Sequence, residues 1–147
     1  MRRSSPYGKI CASEMPAVSA NVGGPVMIVE DDPDIREILT ESLAALGFDV
    51  VTAAHGRDAL TALARMVVLP SVILLDLMMP VMDGYGFLEE RTKDAKLLSI
   101  PLAVITAGHG VDRERIGRRT PIVPKPFEMP VLLGVLRSLQ AGAAVPA

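Results

Sequence analysis

The sequence predicts an α/β domain in which helices alternate with the strands of a parallel sheet. Two observations carry this prediction. Five short strand-like runs are separated by segments whose apolar residues recur at helical spacing, the pattern of repeated βαβ units. The run Val72–Leu75 is apolar at every position, as in a central parallel strand covered on both faces. Five such units in about 120 residues leave no room for a second domain.

The first half of the domain has clear start and stop signals. Val26–Val29 is predicted to be a buried strand. Asp32 followed by Pro33 predicts a helix start, since Asp caps the first turn and Pro fits the first helical position. Gly47 is predicted to end this helix in the left-handed conformation. The next two predicted elements are a strand at 49–53 and a helix at 57–67.

The second half repeats the alternation with weaker signals. After Val72–Leu75, the pair Asp83–Gly84 predicts a turn, and a helix is expected from about Gly86 to Lys93. The remaining predicted elements are a strand at Leu102–Thr106, a weak charged helix at 110–119, a brief strand at Ile122–Val123 and a helix at Glu128–Leu139.

The chain ends are predicted to differ from this domain. Residues 1–24 have Pro and Gly breaks and no periodicity, so we expect a disordered N-terminal extension, a folded domain at 25–140 and a flexible tail at 141–147. Cys11 is the sole cysteine, which excludes an internal disulfide and fits a reducing compartment. No apolar stretch is long enough for a membrane span or a signal peptide, so we expect a cytoplasmic protein.

The charge distribution argues against direct nucleic-acid binding. The formal net charge is −2, and the chain has no long basic block to contact phosphates. One local basic cluster is interleaved with acidic residues, which favours a solvated helix face. This cluster comprises Arg113, Arg115, Arg118 and Arg119, with Asp112 and Glu114 between them.

Polar residues follow four of the predicted strands. Glu30 and Asp31 follow the first strand, Asp76 the third, Thr106 ends the fourth and Lys125 follows the fifth. Because ligands bind outside the carboxyl ends of parallel strands, these side chains should converge. Three close carboxylates repel one another unless the pKa of one is raised, or a cation such as Mg²⁺ or the lysine neutralises them. A carboxylate, a cation and a hydroxyl are the groups needed to accept a phosphoryl group.

The motifs that carry these residues resemble the receiver domain of two-component response regulators, of the single-domain chemotaxis-regulator kind. They are Ile28–Arg36, Val72–Pro80 with Asp83–Gly84, Val104–Ala107 and Lys125–Phe127, and the resemblance covers about residues 25–140. It implies a flavodoxin-like, doubly wound sheet of five parallel strands in the order 2-1-3-4-5, with helices on both faces.

The resemblance also implies roles for the acidic residues. Asp76 resembles the phosphoacceptor and is expected to bind Mg²⁺ as well. Asp31 resembles the direct metal ligand and Glu30 the acid that acts through water. Met78 is expected to contribute its backbone carbonyl to the metal.

A second set of residues resembles the family's switch. Thr106 resembles the hydroxyl that follows the phosphoryl group. Lys125 resembles the phosphate-contacting lysine, and its bond to Pro126 is expected to be cis.

Two departures from the family pattern concern its output face. Ile122 stands where the family has an aromatic switch residue, and only 18 residues separate Thr106 from Lys125. We therefore expect helix 4, between the fourth and fifth strands, to be shortened or irregular. Partner recognition or homodimer formation through this face should then be atypical.

The resulting hypothesis is a stand-alone signalling or phosphorelay module without an output domain. A sensor histidine kinase or a histidine phosphotransfer protein would supply the phosphoryl group, and a surface that binds a downstream protein would switch. Two alternatives stay open: a receiver fragment of a hybrid histidine kinase, and a phosphorylation-independent binding module. An aspartyl-phosphate hydrolase is disfavoured because Met78 occupies the position of its second Asp, so no enzyme activity beyond self-phosphorylation and self-dephosphorylation is expected.

Overall fold

A computed structural model describes residues 24–108 and 110–142. The five strands form one parallel sheet in the order β2-β1-β3-β4-β5, which confirms the predicted fold class and strand order. The strands are β1 Val26–Val29, β2 Val50–Ala53, β3 Val72–Asp76, β4 Leu102–Thr106 and β5 Ile122–Pro124. The helices are α1 Pro33–Ala45, α2 Gly56–Arg65, α3 Gly84–Arg91, α4 Ala95–Leu98, α5 Arg113–Ile116 and α6 Met129–Gln140.

The sheet is buried between two layers of helices. Alternate residues of β1 and β3 enter two separate hydrophobic clusters, one on each face of the sheet. Leu63 of α2 and Phe87 of α3 belong to one cluster, and Leu39 of α1 and Leu132 of α6 belong to the other. Apolar burial on both faces explains why β1 and β3 are apolar almost throughout.

The predicted signals at the first helix are confirmed. The Asp32 side chain accepts hydrogen bonds from the backbone N–H groups of Asp34 and Ile35, and Pro33 occupies the first helical position. Gly47 follows the helix with φ +93°, the left-handed conformation that glycine adopts without steric cost. Local sequence therefore determines both ends of α1.

Two helices begin earlier than predicted because their caps lie earlier. Helix α2 begins at Gly56, since His55 Nδ1 accepts from Asp58 N while the Asp58 carboxylate accepts from Ala54 N. Helix α3 begins at Gly84 rather than Gly86, and Asp83 is its cap. The pair Asp83–Gly84 is thus a cap and a first helical residue as well as a turn.

Helices α4 and α5 are each only four residues long. Helix α4 was not predicted, because its four residues are too few to show periodicity. It is held by the Arg91 guanidinium, which donates hydrogen bonds to the carbonyls of Leu97, Leu98 and Ile100. The helix predicted at 110–119 is reduced to the four residues of α5. The expected shortening of the helix between the fourth and fifth strands is therefore confirmed.

The predicted chain ends lie mostly outside the described residues. Residues 1–23 of the predicted extension and 143–147 of the predicted tail are not described, so these two assignments stay predictions. Within the described part of the chain, no helix combines the length and the apolar character needed to cross a bilayer.

Candidate functional site

The sheet brings the predicted polar residues together at the carboxyl ends of its strands. Glu30 and Asp31 directly follow β1, and Asp76 is the last residue of the neighbouring strand β3. One carboxylate oxygen from each of the three lies within 4.8 Å of the others. Glu30 and Asp76 are buried, whereas Asp31 is exposed. The arrangement offers hard oxygen ligands on the side from which a hydrated cation can enter.

Lys125 supplies the positive charge in this cluster. Its Nζ donates a hydrogen bond to Glu30 Oε1 and lies 3.5 Å from Asp76 Oδ2. The side chains of Lys125, Glu30 and Asp76 are only 15%, 3% and 6% exposed, so little water screens these charges. The bond between Lys125 and Pro126 is cis, as predicted, and the Lys125 N–H donates a 2.9 Å hydrogen bond to the carbonyl of Thr106.

The charge state of the cluster follows from burial and from these contacts. Burial raises the pKa of Glu30, the nearby Asp76 carboxylate raises it further, and Lys125 opposes both effects. Burial lowers the pKa of Lys125, but the hydrogen bond to Glu30 and the two negative charges outweigh it, so this pKa is raised. Lys125 is therefore a cation that holds a crowded pair of carboxylates together.

Asp76 is oriented by the loop that follows it. Its Oδ1 accepts a 3.2 Å hydrogen bond from the backbone N–H of Met78, while the Met78 side chain is 67% exposed. Gly84 packs so closely that a Cβ there would lie 2.7 Å from the carbonyl oxygen of Asp76. Only glycine allows α3 to begin this close to β3. The predicted metal contact through the Met78 carbonyl stays a prediction.

Thr106 lies beside this cluster at the end of β4. Its side chain is buried, and its Oγ1 accepts a 3.0 Å hydrogen bond from Gly108 N. Ile122 is half-buried and packs against the hydrophobic cluster that contains Ile116. An aliphatic residue thus occupies the position at which the family pattern has an aromatic residue.

Arg36 belongs to the site although no role was predicted for it. Its Nη1 donates hydrogen bonds to the backbone carbonyls of Glu30, at 2.7 Å, and of Asp31, at 3.5 Å. Arg36 therefore fixes the loop that carries two of the three acids and adds a second positive charge nearby. The sequence shows only that Arg36 lies in the first turns of α1, and this position alone does not distinguish an arginine that contacts the loop from one that contacts solvent.

Comparisons with known proteins agree with this geometry. The family model described as "Response regulator receiver domain" matches residues 26–137. The chain is 33% identical over 117 residues to the probable transcriptional regulator ycf27 of Porphyridium aerugineum, covering 78% of this chain and 47% of the relative. It is 35% identical over 121 residues to the response regulator Rre1 of Synechocystis, covering 79% and 51%. The chain thus spans about half the length of these relatives.

Solved receiver structures are also similar. The chemotaxis protein CheY4 of Vibrio cholerae has a TM-score of 0.69 and 29% identity, covering 78% of this chain and 97% of that one. The receiver domain of the sensor histidine kinase PA1611 from Pseudomonas aeruginosa, which holds a magnesium ion in its active-site cleft, has a TM-score of 0.71 and 27% identity, covering 81% and 98%. The family match extends over most of the chain, and the chain therefore belongs to the response regulator receiver domain family.

Proposed function

We propose that Asp76 accepts a phosphoryl group from a phosphohistidine of a sensor histidine kinase or of a histidine phosphotransfer protein. The observation that carries this proposal is a cluster of three carboxylates at the carboxyl edge of the sheet, two of which contact the Lys125 ammonium group. Membership of the receiver domain family supports it, because the residues brought together are those to which the resemblance of the sequence motifs gives these roles.

The transfer step uses an oxygen of the Asp76 carboxylate as the nucleophile. This oxygen forms a bond to phosphorus while the bond from phosphorus to the donor's imidazole nitrogen breaks, and the bonding electron pair stays on that nitrogen. The Met78 N–H holds Asp76 Oδ1 during the attack. Lys125 carries three N–H donors and can bond to a phosphoryl oxygen while it keeps its contact with Glu30.

We propose Mg²⁺ as the cofactor, held by Asp31 and Asp76, by Glu30 through water and by the backbone carbonyl of Met78. The three carboxylates of this cluster outnumber Lys125 and the nearby Arg36, so the described residues leave uncompensated negative charge of the kind that a hard divalent cation neutralises. When bound, the metal would supply positive charge to the oxygens of the transferring phosphoryl group. The magnesium in the related PA1611 receiver supports this assignment.

Phosphorylation replaces the single negative charge of the Asp76 carboxylate with a phosphoryl group of about −1.5 to −2 charge, placed next to Lys125 and Thr106. This charge favours a state in which the Lys125 ammonium and the Thr106 hydroxyl both contact the phosphoryl oxygens. Since Thr106 ends β4 and its carbonyl accepts the Lys125 N–H, a shift of either residue is passed to β5. The proposed output is a changed protein-binding surface around β5, α5 and α6, and the proposed chemistry includes no turnover other than loss of the phosphoryl group to water.

The direct test is intact-mass analysis after incubation with acetyl phosphate and Mg²⁺. We expect one phosphoryl adduct in the wild type, and none in Asp76→Asn or in EDTA. The matched control is Asp94→Asn, which changes an exposed helix cap and should leave the adduct in place. If wild type takes up no adduct and also fails to bind fluoroberyllate, the protein is a phosphorylation-independent binding module and the proposal fails.

A relay role is a second candidate, favoured by the receivers of histidine kinases among the similar structures. One is the PA1611 receiver and another comes from a signal transduction histidine kinase of Syntrophus aciditrophicus, at 28% identity and a TM-score of 0.68. A relay receiver passes its phosphoryl group to a phosphotransfer histidine. Mixing phosphorylated protein with such a domain and following the radiolabel distinguishes the two roles, because only the relay transfers label faster than it releases phosphate.

A further inference from the structure

We infer that a cavity at the amino ends of β4 and β5 binds an acidic peptide segment of a partner protein. The cavity has a volume of about 390 Å³ and lies where α3 and α6 end. In a parallel sheet this edge is opposite the one that carries Asp76, so the cavity is separate from the phosphorylation site. The lining residues that matter are Arg91, Arg118, Arg119, Pro121 and Leu139.

The cavity is positively charged. Three guanidinium groups line it, and no carboxylate is among the described residues that form its wall. Arg119 makes no hydrogen bond or ion pair within the described part of the chain. Arg118 pairs with Glu114, but both side chains are largely exposed, and such a surface pair is readily exchanged for another. Glu114 is therefore only weakly paired with Arg118, and it does not line the cavity.

Arg91 gives this surface a fixed donor. Its Nε and Nη2 donate to the carbonyls of Leu97, Leu98 and Ile100 at 2.7 to 3.1 Å, which immobilises the guanidinium plane. These three bonds leave Nη1 without an acceptor among the described residues. A guanidinium that is already ordered loses little entropy when it binds a carboxylate, so Arg91 is preorganised for an anionic partner.

The wall chemistry selects a peptide over a small anion. The apolar part of the wall that a ligand can reach is formed by Pro121, just before β5, and by Leu139, near the end of α6, and both are half-buried. A lone phosphate would contact the guanidinium groups and leave this apolar wall uncovered. A segment with a leucine-like anchor between Glu or Asp residues satisfies both parts of the cavity. Because the two sites lie at opposite edges of the sheet, binding should not require a phosphoryl group on Asp76.

The test is an amide NMR titration of the unphosphorylated chain with a short, end-capped peptide of Glu and Leu residues. We expect shifts concentrated at 117–120 and at Leu139, and an affinity that falls as salt concentration rises. The same peptide with Gln in place of Glu should bind at least about tenfold more weakly. Arg119→Glu should weaken binding of the acidic peptide by about the same factor, and Arg119→Gln by less.

Arg65→Glu is the matched control, since Arg65 is an exposed arginine of α2 that does not line the cavity and its reversal changes net charge equally. Unfolding midpoints of both variants check that the fold is kept. The inference is overturned if Arg65→Glu and Arg119→Glu weaken binding equally, or if the Gln peptide binds as well as the Glu peptide. It is also overturned if inorganic phosphate alone displaces the peptide, or if sedimentation shows that this surface joins two copies of the chain.

Discussion

The charge crowding around Asp76 predicts that Asp76→Asn stabilises the protein when no metal is bound. The substitution removes one of three carboxylates that lie within 4.8 Å of one another and keeps a side chain of the same size. The Asn oxygen can still accept the Met78 N–H, so the loop after β3 keeps its hydrogen bond. The expected change in the free energy of unfolding is therefore mainly electrostatic.

The magnitude follows from the distances. At 3.5 Å, the attraction between Asp76 and Lys125 is about 5 kcal/mol at an effective dielectric constant of about 20. On the same scale, a repulsion across 4.8 Å or less, as with Glu30 and with Asp31, is at least about 3.5 kcal/mol for each pair. Solvent reduces the share of the exposed Asp31, whereas the desolvation of buried Asp76 adds to the cost. We expect a net gain in stability of about 1 to 3 kcal/mol.

The assay is thermal and urea unfolding in EDTA and in Mg²⁺. For a domain of this length, each kcal/mol of added stability raises Tm by roughly 3 to 6 °C. Mg²⁺ should stabilise the wild type more than the variant, since the variant lacks one metal-binding carboxylate. Asp94→Asn, an exposed cap, should change stability by less than about 0.5 kcal/mol. A Tm of Asp76→Asn at or below that of wild type in EDTA would refute the reasoning.

Three further outcomes are expected. Because burial and the Asp76 carboxylate raise the pKa of Glu30 above its ordinary value of 4.5, ionisation of Glu30 costs stability that grows as pH rises through the folded-state pKa. Urea unfolding in EDTA should therefore show that Glu30→Gln gains stability over wild type at about pH 7 and gains none at about pH 4, and a pH-independent difference would contradict this. Gly84→Ala places a Cβ 2.7 Å from the Asp76 carbonyl oxygen and should cost about 1 to 3 kcal/mol, whereas Gly134→Ala, with nothing within 4 Å of its Cβ, should gain about 0.5 to 1 kcal/mol in the same unfolding assay. Gly108 has no side chain to cover a phosphoryl group on the neighbouring Asp76, so the phosphoryl half-life should fall well short of hours and should lengthen in Gly108→Ala, as followed by intact mass over time. A half-life of hours in the wild type would count against that account.

Much of the site is predictable because a parallel sheet brings the polar residues at the carboxyl ends of its strands to one edge. Once Asp76, Thr106 and Lys125 are placed at the ends of parallel strands, the sheet determines that they meet, whatever the loops do. The start of α1 is equally local, since Asp32 and Pro33 satisfy the first turn by themselves. These features depend on a few neighbouring residues and on strand order.

The features that were not predicted depend on hydrogen bonds from arginine side chains to backbone carbonyls several positions away. Helix α4 has only four residues, and it is stabilised by Arg91, whose bond to Ile100 spans nine positions. The function of Arg36 is likewise visible only when its guanidinium is seen on the carbonyls of Glu30 and Asp31. Sequence periodicity reports burial, but it carries no information on which backbone carbonyl a long side chain reaches.

The edge strand β5 limits aggregation between copies of this protein. Strand β5 lies at the edge of the sheet, is three residues long and ends in Pro124, with Pro121 just before it. Proline has no N–H, so this border offers few donors to a strand arriving from another molecule. The shortness and the two prolines protect the exposed border against aggregation by strand addition, and a binding partner that approaches it must recognise side chains instead of adding to the backbone ladder.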